Sequence, residues 1–372
     1  MPAVTSGKVL VSGANGYVAV WVVRTLLEHG FSVRGAVRSG DKGTHLTELF
    51  APYGDKFEVV IVPDITVDGA FDEAVKGVDA IEHTASPFHH QADDPAELLE
   101  PAIKGTVGIL ESARKHGASV KRVVVTSSCA AIMNISPTPQ VLSEADWNDQ
   151  AVLQVEEKGR AASNGAKYQA SKTLAERAAW DFVKKYKDEI GWDVSVMNPP
   201  LVVGPVIHAV ASPDSLNTSC RLMYGAYTRP EASAGGGSWI DVRDLALAHV
   251  RALQKEEAGG ERIIITAGAF AWQDWRAYLY SSMRHLFHKF LANMLPPIFV
   301  ILYAHPTDTL PHAVDAAPPS SKYLKGTPGA GKDHVHLLRF KNDKSIRILG
   351  MEYRSMKDTA ADTIADYEKR GW

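Results

Sequence analysis

The stretch Lys8–Arg38, KVLVSGANGYVAVWVVRTLLEHGFSVRGAVR, decides the fold, because it has the pattern of a strand, a turn, a helix and a second strand. Lys8–Val11 is a short apolar, β-branched run, and Val18–Leu27 then carries apolar residues at helical spacing. Between them, Gly13 allows a tight turn, and Gly16 lets the backbone approach a pyrophosphate at the positive end of the helix. The stretch therefore predicts a dinucleotide-binding turn.

Composition narrows the class of protein. The chain has 372 residues, of which 45% are hydrophobic, and a formal net charge of −3, which does not favour nucleic acid as a partner. Cys129 and Cys220 are far apart and lack metal-ligand spacing, so we expect neither a disulfide framework nor a metal. The N-terminus lacks a secretory pattern, and the apolar run 291–304 is short and carries two prolines, so we expect a cytoplasmic enzyme without a membrane span.

Downstream of Arg38, short β-rich runs alternate with longer helical patterns, which is typical of a parallel sheet covered by helices. We therefore expect an α/β fold of the Rossmann type, a doubly wound parallel sheet with helices on both faces. The predicted strands are Phe31–Val37, Phe57–Val62, Ala80–His83, Arg122–Thr126 and Asp193–Met197, and the predicted helices are Thr44–Phe50, Ala70–Val75, Pro95–His116 and Tyr168–Tyr186.

Proline and glycine become frequent after Asn198, which predicts a smaller, mostly C-terminal substrate lobe. Trp239–Asp241, with the helix after it, and Arg262–Thr266 still have the pattern of the sheet domain. We therefore expect an interleaved architecture. Residues 1–200 and 238–268 would form the cofactor domain, and residues 201–237 and 269–372 would form the substrate lobe.

Two polar motifs follow the fifth predicted strand and begin the next long helix. Ser128 lies at the carboxyl end of that strand, where it can hydrogen-bond a substrate carbonyl oxygen as negative charge develops. Tyr168 and Lys172 are at positions i and i+4 and share one helix face. An ammonium beside a phenol favours the phenolate, so we expect Lys172 to lower the pKa of Tyr168 and make it a better proton donor. Each motif alone is common by chance, but together, after a dinucleotide turn, they predict a catalytic site.

On these motifs the chain resembles the extended short-chain dehydrogenase/reductases. Within them it is most similar to the fungal NADPH-dependent methylglyoxal and carbonyl reductases related to plant dihydroflavonol 4-reductase and cinnamoyl-CoA reductase. The resemblance runs through SGANGYVA, PDIT, HTASPF, YQASK, NPPLVVGP and LNTSC. It implies a catalytic set of Ser128, Tyr168 and Lys172. It also implies a cofactor site of Gly13, Ala14, Asn15, Gly16, Tyr17 and Val18 at the pyrophosphate, Asp64 and Ile65 at the adenine, Thr84, Ala85 and Ser86 along the channel, and Tyr168, Lys172, Pro199, Val202 and Ser219 toward the nicotinamide.

The second predicted strand ends in a basic pair, and this pair indicates which cofactor is used. An NAD enzyme usually has an acidic residue there to bind the ribose hydroxyls. This chain has Arg38, followed closely by Lys42. Two cations suit the 2′-phosphate of NADPH, so we expect a strong NADPH preference.

The substrate pocket is predicted to be mainly apolar, which suits bulky or aromatic ketones and aldehydes. We expect solvated or structural roles for His83, His89, His90, His334 and His336. Lys104 occupies a helix position where many relatives carry a relay asparagine, so no relay is assigned, and the segment 284–308 is longer and more apolar than the resemblance implies. The predicted pocket residues are Phe88, Ile132, Met133, Leu201 and Met223.

Three functions are compatible with these patterns. The leading hypothesis is an NADPH-dependent reductase of aldehydes and ketones, a monomer or homodimer in which Tyr168 donates the proton. The second is a sugar-nucleotide epimerase or dehydratase that holds NAD tightly, against which Arg38 and Lys42 argue. The third is a non-catalytic module that senses NADP, in which the catalytic tyrosine should be missing.

Overall fold

A seven-stranded parallel sheet forms the centre of the computed structural model, which describes residues 3–86, 92–229, 235–278, 323–324, 331 and 333–372. The strands are β1 Lys8–Ser12, β2 Ser32–Val37, β3 Phe57–Ile61, β4 Ala80–His83, β5 Arg122–Thr126, β6 Gln140–Leu142, β7 Asp193–Asn198, β8 Leu201–Val203, β9 Gly236–Asp241, β10 Arg262–Ile264, β11 Gly268–Ala271 and β12 Leu338–Phe340.

The strand order in the large sheet is β10-β7-β5-β4-β1-β2-β3, and every pairing within it is parallel. The order reverses at β1, which pairs with β2 on one side and β4 on the other. In such sheets ligands bind at the carboxyl ends of the strands beside the reversal. The predicted Rossmann-type fold is confirmed, and it places the turn after β1 at this point.

Helices cover both faces of the sheet because neighbouring strand residues point to opposite sides. The helices are α1 Tyr17–Glu28, α2 Gly40–Phe50, α3 Ala96–His116, α4 Asp149–Lys158, α5 Asn164–Lys185, α6 Thr218–Thr228, α7 Val242–Gln254, α8 Asp343–Leu349 and α9 Met356–Lys369. Val9 and Val11 of β1 belong to one core cluster, to which helices α1 and α7 also contribute, whereas Leu10 belongs to the opposite cluster with residues of α3 and α5.

The helix predicted at Ala70–Val75 is wrong, since residues 70–77 form consecutive turns. The segment lies between Gly69 and Gly77, which both have positive φ, at 76° and 69°. A stretch this short cannot propagate a helix between two such breaks. Phe71 nevertheless packs in the core, so the apolar pattern correctly indicated burial and not the element.

The strand at Trp239–Asp241 does not join the large sheet as predicted. It lies in β9, which pairs in parallel with β8 and antiparallel with β11 to form a separate three-stranded sheet. Trp239 is buried there against Trp275, with 4.9 Å between ring centroids. The predicted strand near Arg262 does join the large sheet as β10. Segment 284–308 lies outside the described residues, and the division into two lobes stays a prediction.

Candidate active site

The turn after β1 is built for close approach by a ligand. Gly13 has φ of 64°, and a Cβ there would lie 3.1 Å from the Cα of Ala85. Gly16 begins α1 and donates its N–H to the Gly13 carbonyl at 2.9 Å. No side chain of the described residues caps this helix. The first amides of α1 are therefore available to an anion at the positive end of the helix.

Ser12 and His83, at the ends of β1 and β4, stabilise this turn through hydrogen bonds. The role of Ser12 was not predicted from the sequence. The Ser12 Oγ accepts the backbone N–H of Thr84 at 3.1 Å and that of Ala85 at 3.0 Å, and it lies 2.9 Å from His83 Nδ1. Burial, and secondly the charge of Lys172, lowers the pKa of His83 to about 3, so the ring is neutral and its Nδ1 can accept the Ser12 proton. The histidine is structural, and it ties the ends of β1 and β4 together.

Two adjoining cavities of about 860 and 510 Å³ lie over the carboxyl ends of the strands and share Gly13, Gly16, Thr84 and Ser86. Of the predicted residues, the larger cavity also contacts Tyr17, Val18, Ser128, Met133, Tyr168, Lys172, Pro199, Leu201, Val202 and Ser219, and the smaller also contacts Asn15, Arg38, Asp64, Ile65 and Ala85.

The smaller cavity has a basic rim. Arg38 is exposed there, and of the described residues that line this cavity it alone carries a positive charge. Asp64 accepts the backbone N–H of Thr66 at 2.8 Å, and its pKa is lowered first by hydrogen bonds from Thr66 and also by the charge of Arg38. Lys42 lies outside the lining, exposed in α2 with its Nζ 3.8 Å from Asp41. Of the predicted pair of cations, Arg38 borders the cavity in this structure, and the role of Lys42 stays a prediction.

Ala14 is the other predicted cofactor residue that lines neither cavity. Its side chain is fully buried, and a Cβ on Gly35 would lie 3.0 Å from it. The side chain of Ala14 therefore packs against β2. Tyr17 is also turned inward, since its hydroxyl donates to the Gly204 carbonyl at 3.0 Å.

The serine turn after β5 places Ser128 against the helix that carries the tyrosine. Ser128 caps a short 3-10 turn, and its Oγ accepts the N–H of Ala130 at 3.1 Å and lies 3.3 Å from the Pro199 carbonyl oxygen. The Ser128 side chain also hydrogen-bonds the phenol of Tyr168. The two side chains can therefore contact one substrate oxygen.

Tyr168 and Lys172 lie on the cavity side of α5, which begins at a Ser163 cap that accepts the N–H of Ala166. Burial raises the pKa of Tyr168, and the hydrogen bond from Ser128 opposes this. Burial therefore dominates the pKa of Tyr168 in this structure, and the expected lowering by Lys172 stays a prediction. Burial also lowers the pKa of Lys172 to about 8, against the charge of Glu176.

The substrate end of the larger cavity agrees only in part with the sequence. Met133 and Leu201 line it, whereas Ile132 and Met223 are in the core, 0% and 1% exposed. Ile132 packs in a cluster with Leu142 and Ile264, and on α6 the half-exposed neighbour Leu222 faces the cavity in place of Met223. Phe88, His89 and His90 lie outside the described residues.

Part of the cavity wall comes from segments that sequence analysis did not assign. His334 and His336 contact the cavity, with 4.9 Å between their ring centroids, and burial lowers the pKa of His336. The alternation of the two histidines about Val335 was the feature of the sequence that could have indicated a shared position on the cavity wall. The unassigned lining residues are Ala19, Thr126, Ser127, Cys129, Ala130, Pro200, Asn217, Thr218, Leu222, Gly235, Gly236, Gly237, Ser238, His334, Val335, His336, Leu337, Leu338 and Phe340.

The described ranges contain neither a candidate membrane span nor a candidate metal-ion site. Within them, no helix is both long and apolar enough to cross a membrane, and His, Cys, Asp and Glu nowhere gather in a group of three that could hold a metal ion. Cys129 and Cys220 are both buried free thiols.

Comparison with known proteins gives consistent relatives over nearly the whole chain. A sequence model described as the NAD dependent epimerase/dehydratase family matches residues 9–268. The ketoreductase azaE of Aspergillus niger is 34% identical, with 96% of each chain covered. The NADPH-dependent methylglyoxal reductase of Saccharomyces cerevisiae is 33% identical, with 97% of this chain and 98% of that protein covered.

A solved structure extends the likeness to three dimensions. The crystal structure of the yeast methylglyoxal/isovaleraldehyde reductase Gre2, complexed with NADPH, superposes with a TM-score of 0.77 at 32% identity. The match covers 98% of this chain and 99% of that one. The resemblance stated from the motifs is confirmed.

Proposed function

We propose that this chain, which belongs to the NAD dependent epimerase/dehydratase family, is an NADPH-dependent reductase of aldehydes and ketones. It would be an enzyme of the alcohol dehydrogenase type, which acts on CH–OH groups with NADP. The observation that carries the proposal is that the glycine turn, Ser128, Tyr168 and Lys172 all border one cavity. Relatives of similar length support it, since they include a ketoreductase and an NADPH-dependent methylglyoxal reductase.

The residues present fit this cofactor. The turn at Gly13 and Gly16 leaves room that a Cβ would fill, and the amides of α1 suit a pyrophosphate. Arg38 would pair with a 2′-phosphate, beside an adenine at Asp64 and Ile65. When bound, NADPH would supply the hydride for reduction of the carbonyl carbon.

The chain's own residues would manage the proton and the oxygen. Tyr168 keeps its proton at neutral pH because burial raises its pKa, so it can donate to the carbonyl oxygen. Ser128 hydrogen-bonds the same oxygen as charge develops on it. The Lys172 ammonium, one turn along α5, stabilises the phenolate that forms.

The walls of the larger cavity support an apolar carbonyl substrate. Met133, Leu201 and Leu222 line it together with Leu338 and Phe340. Such a surface favours aromatic or branched aliphatic groups beside the carbonyl. A cytoplasmic location and a monomeric or homodimeric state stay predictions.

The decisive variant is Tyr168→Phe, assayed by NADPH oxidation with a panel of aldehydes, α-ketoesters and aryl ketones. Removing the proton donor should lower kcat by about 10²- to 10⁴-fold while NADPH binding persists. Tyr186→Phe is the matched control, because that tyrosine ends the same helix about 27 Å away. Retained turnover in Tyr168→Phe would refute the assignment.

An epimerase or dehydratase would behave differently in the same assay. Such an enzyme returns the hydride within each turnover, so it is purified with tightly held NAD and consumes no NADPH. The exposed Arg38 at the cofactor rim argues against it, because NAD lacks a 2′-phosphate.

A further inference from the structure

Glu176 is a buried carboxylate one helical turn beyond Lys172, with only 1% of its surface exposed. Its Oε2 accepts the hydroxyl of Ser127 at 2.5 Å and the side-chain N–H of Asn198 at 2.8 Å. Its Oε1 accepts the Nε–H of Arg262 at 2.6 Å. A buried carboxylate persists only when it is paired and hydrogen-bonded, and these three contacts meet that condition.

The two donors on Oε2 both border the Ser128 turn. Ser127 is its preceding residue, and Asn198 also donates to the Ser128 carbonyl at 3.2 Å. Backbone hydrogen bonds from Ser127 to Met197 and from Cys129 to Pro199, each 2.9 Å, link the same turn to the end of β7. Glu176 Oε2 on α5 therefore fixes the Ser128 turn through two residues, Ser127 after β5 and Asn198 at the end of β7.

Arg262 anchors the carboxylate from the opposite side. Its Nη1 donates to the carbonyls of Glu144 and Asp146, both at 2.9 Å. The segment continues to Asn148, whose side chain donates to the carbonyl of Ala130 at 2.9 Å. The turn that contains Ser128 is therefore held by α5, by β7 and by the segment before α4. Glu176 connects α5 and β7 to Arg262.

We propose that Glu176 is a positioning residue, which holds the Ser128 turn in register with the face of α5 that carries Tyr168 and Lys172. The inference rests on the proposed function, since this register matters only if the three side chains act on one carbonyl. Misplacement by about 1 Å at a reacting centre can cost a rate factor of about 10². The carboxylate itself lines neither cavity, so its effect passes through its partners.

Charge adds a readout that a purely structural role would lack. Among the described residues, the charged and titratable groups near Lys172 include Tyr168 and Glu176 on its own helix and His83 from β4, which is neutral because its pKa is about 3. Loss of the Glu176 charge would remove the interaction that raises the pKa of Lys172 and would leave the Arg262 guanidinium without its carboxylate. The pKa of Lys172 would then fall below its value of about 8.

Glu176→Gln tests the proposal on the full-length enzyme. We expect kcat to fall by about 10- to 100-fold with the KM for NADPH unchanged, and the alkaline limb of the pH profile to move to lower pH. Glu176→Asp retains the charge, so it should keep the limb in place and restore part of kcat. Asp181→Asn is the matched control, because it removes one exposed negative charge from the same helix and should leave both quantities unchanged.

Ser127→Ala keeps the Glu176–Arg262 pair and decides the matter if Glu176→Gln does not fold. We expect a reduced kcat with the alkaline limb unmoved, because a neutral contact is lost and the charges remain. A folded Glu176→Gln with wild-type kcat and pH profile, or Ser127→Ala with wild-type kcat, would overturn the proposal. Failure of the proposed function is distinguishable, since the wild-type enzyme would then reduce no carbonyl at all.

Discussion

The amino ends and the carboxyl ends of the strands in the large sheet, here called the amino edge and the carboxyl edge, each have a buried arginine paired with a carboxylate. The two pairs differ in their remaining hydrogen-bond partners. At the amino edge, Arg122 is fully buried and forks onto Asp193 at 2.6 and 2.9 Å. Its remaining N–H groups donate to carbonyls at the end of α7, including that of Ala252 at 2.6 Å. These contacts join β5, β7 and the end of α7, and neither of the two cavities described above is lined by Arg122 or Asp193.

At the carboxyl edge, Glu176 and Arg262 form a similar pair. The second oxygen of this carboxylate, however, accepts hydrogen bonds from Ser127 and Asn198 beside the Ser128 turn. Among the described residues, Arg262 Nη2 and Asn198 Oδ1 are buried without a hydrogen-bond partner, and the Arg262 guanidinium lies 3.6 Å from the centroid of the Trp147 ring. The same chemistry thus stabilises the fold at one edge and organises the site at the other.

Arg122→Met should give the largest effect, and it should be confined to stability. Breaking a buried ion pair by removing one partner is strongly destabilising, so the free energy of unfolding should fall by about 3–5 kcal/mol. Urea denaturation measures this, and kcat of the folded fraction should stay at the wild-type value. Arg177→Met, which breaks the exposed pair with Asp149, should cost less than about 1 kcal/mol. Equal losses in the two variants would contradict the role of burial.

Ser128→Ala should act in the opposite way at the carboxyl edge. The variant removes the hydroxyl that hydrogen-bonds the developing oxyanion, and kcat should fall by about 10²- to 10³-fold. Unfolding free energy should change little, because the Glu176 contacts through Ser127 and Asn198 remain. Steady-state kinetics and urea denaturation on one preparation separate the two effects, and a loss of stability without a loss of kcat would break the contrast between the edges.

Arg38→Ala should change cofactor choice without changing chemistry. A hydrogen bond to a charged group contributes about 1.5–3 kcal/mol, so the KM for NADPH should rise by about 10- to 100-fold. The KM for NADH should change little, since NADH has no phosphate at that position. Lys42→Ala is the control, because Lys42 is exposed outside both cavities and should leave the KM for NADPH unaltered. A larger effect from Lys42→Ala would restore the two-cation site expected from the sequence.

The pH dependence should follow Lys172. Its pKa is lowered to about 8, so the ammonium is present below that pH and is lost above it. Reductive kcat/KM should therefore be level near neutrality and fall by about tenfold per pH unit well above pH 8. Tyr168 keeps its proton throughout this range because its pKa is raised. A profile level to pH 10 would show that the ammonium is not required.

Local patterns predicted the parts of the site that depend on local geometry. The glycine turn and the Tyr168–Lys172 face each lie within one or two elements, so spacing alone places them. Ile132 and Met223 were misplaced because neighbouring side chains on a short turn or helix point in opposite directions, and tertiary packing decides which one meets the cavity. The apolar character of the substrate pocket stays a prediction, which the positions of Met133 and Leu201 on the cavity wall support.

Long-range pairing explains what the sequence could not indicate. The wall at residues 334–338 depends on β12 pairing with β6, whose partners Leu338 and Gln140 are far apart in the chain. Glu176 is ordinary in its helical pattern and becomes informative only when Ser127 and Arg262 are seen beside it. Buried polar networks of this kind are assembled by the fold and carry no periodic signal.

Transfer of deuterium from NADPH labelled at the nicotinamide C4 tests the central claim most directly. The purified enzyme is incubated with an aryl ketone or aldehyde, and the alcohol is analysed by mass spectrometry for label on the carbinol carbon. We predict one deuterium in the product when one face of the nicotinamide carries the label and none when the other does, with labelled product formed about 10²- to 10⁴-fold more slowly by Tyr168→Phe. Product formed without label from either face, or NADPH left unconsumed with every carbonyl, would contradict the assignment.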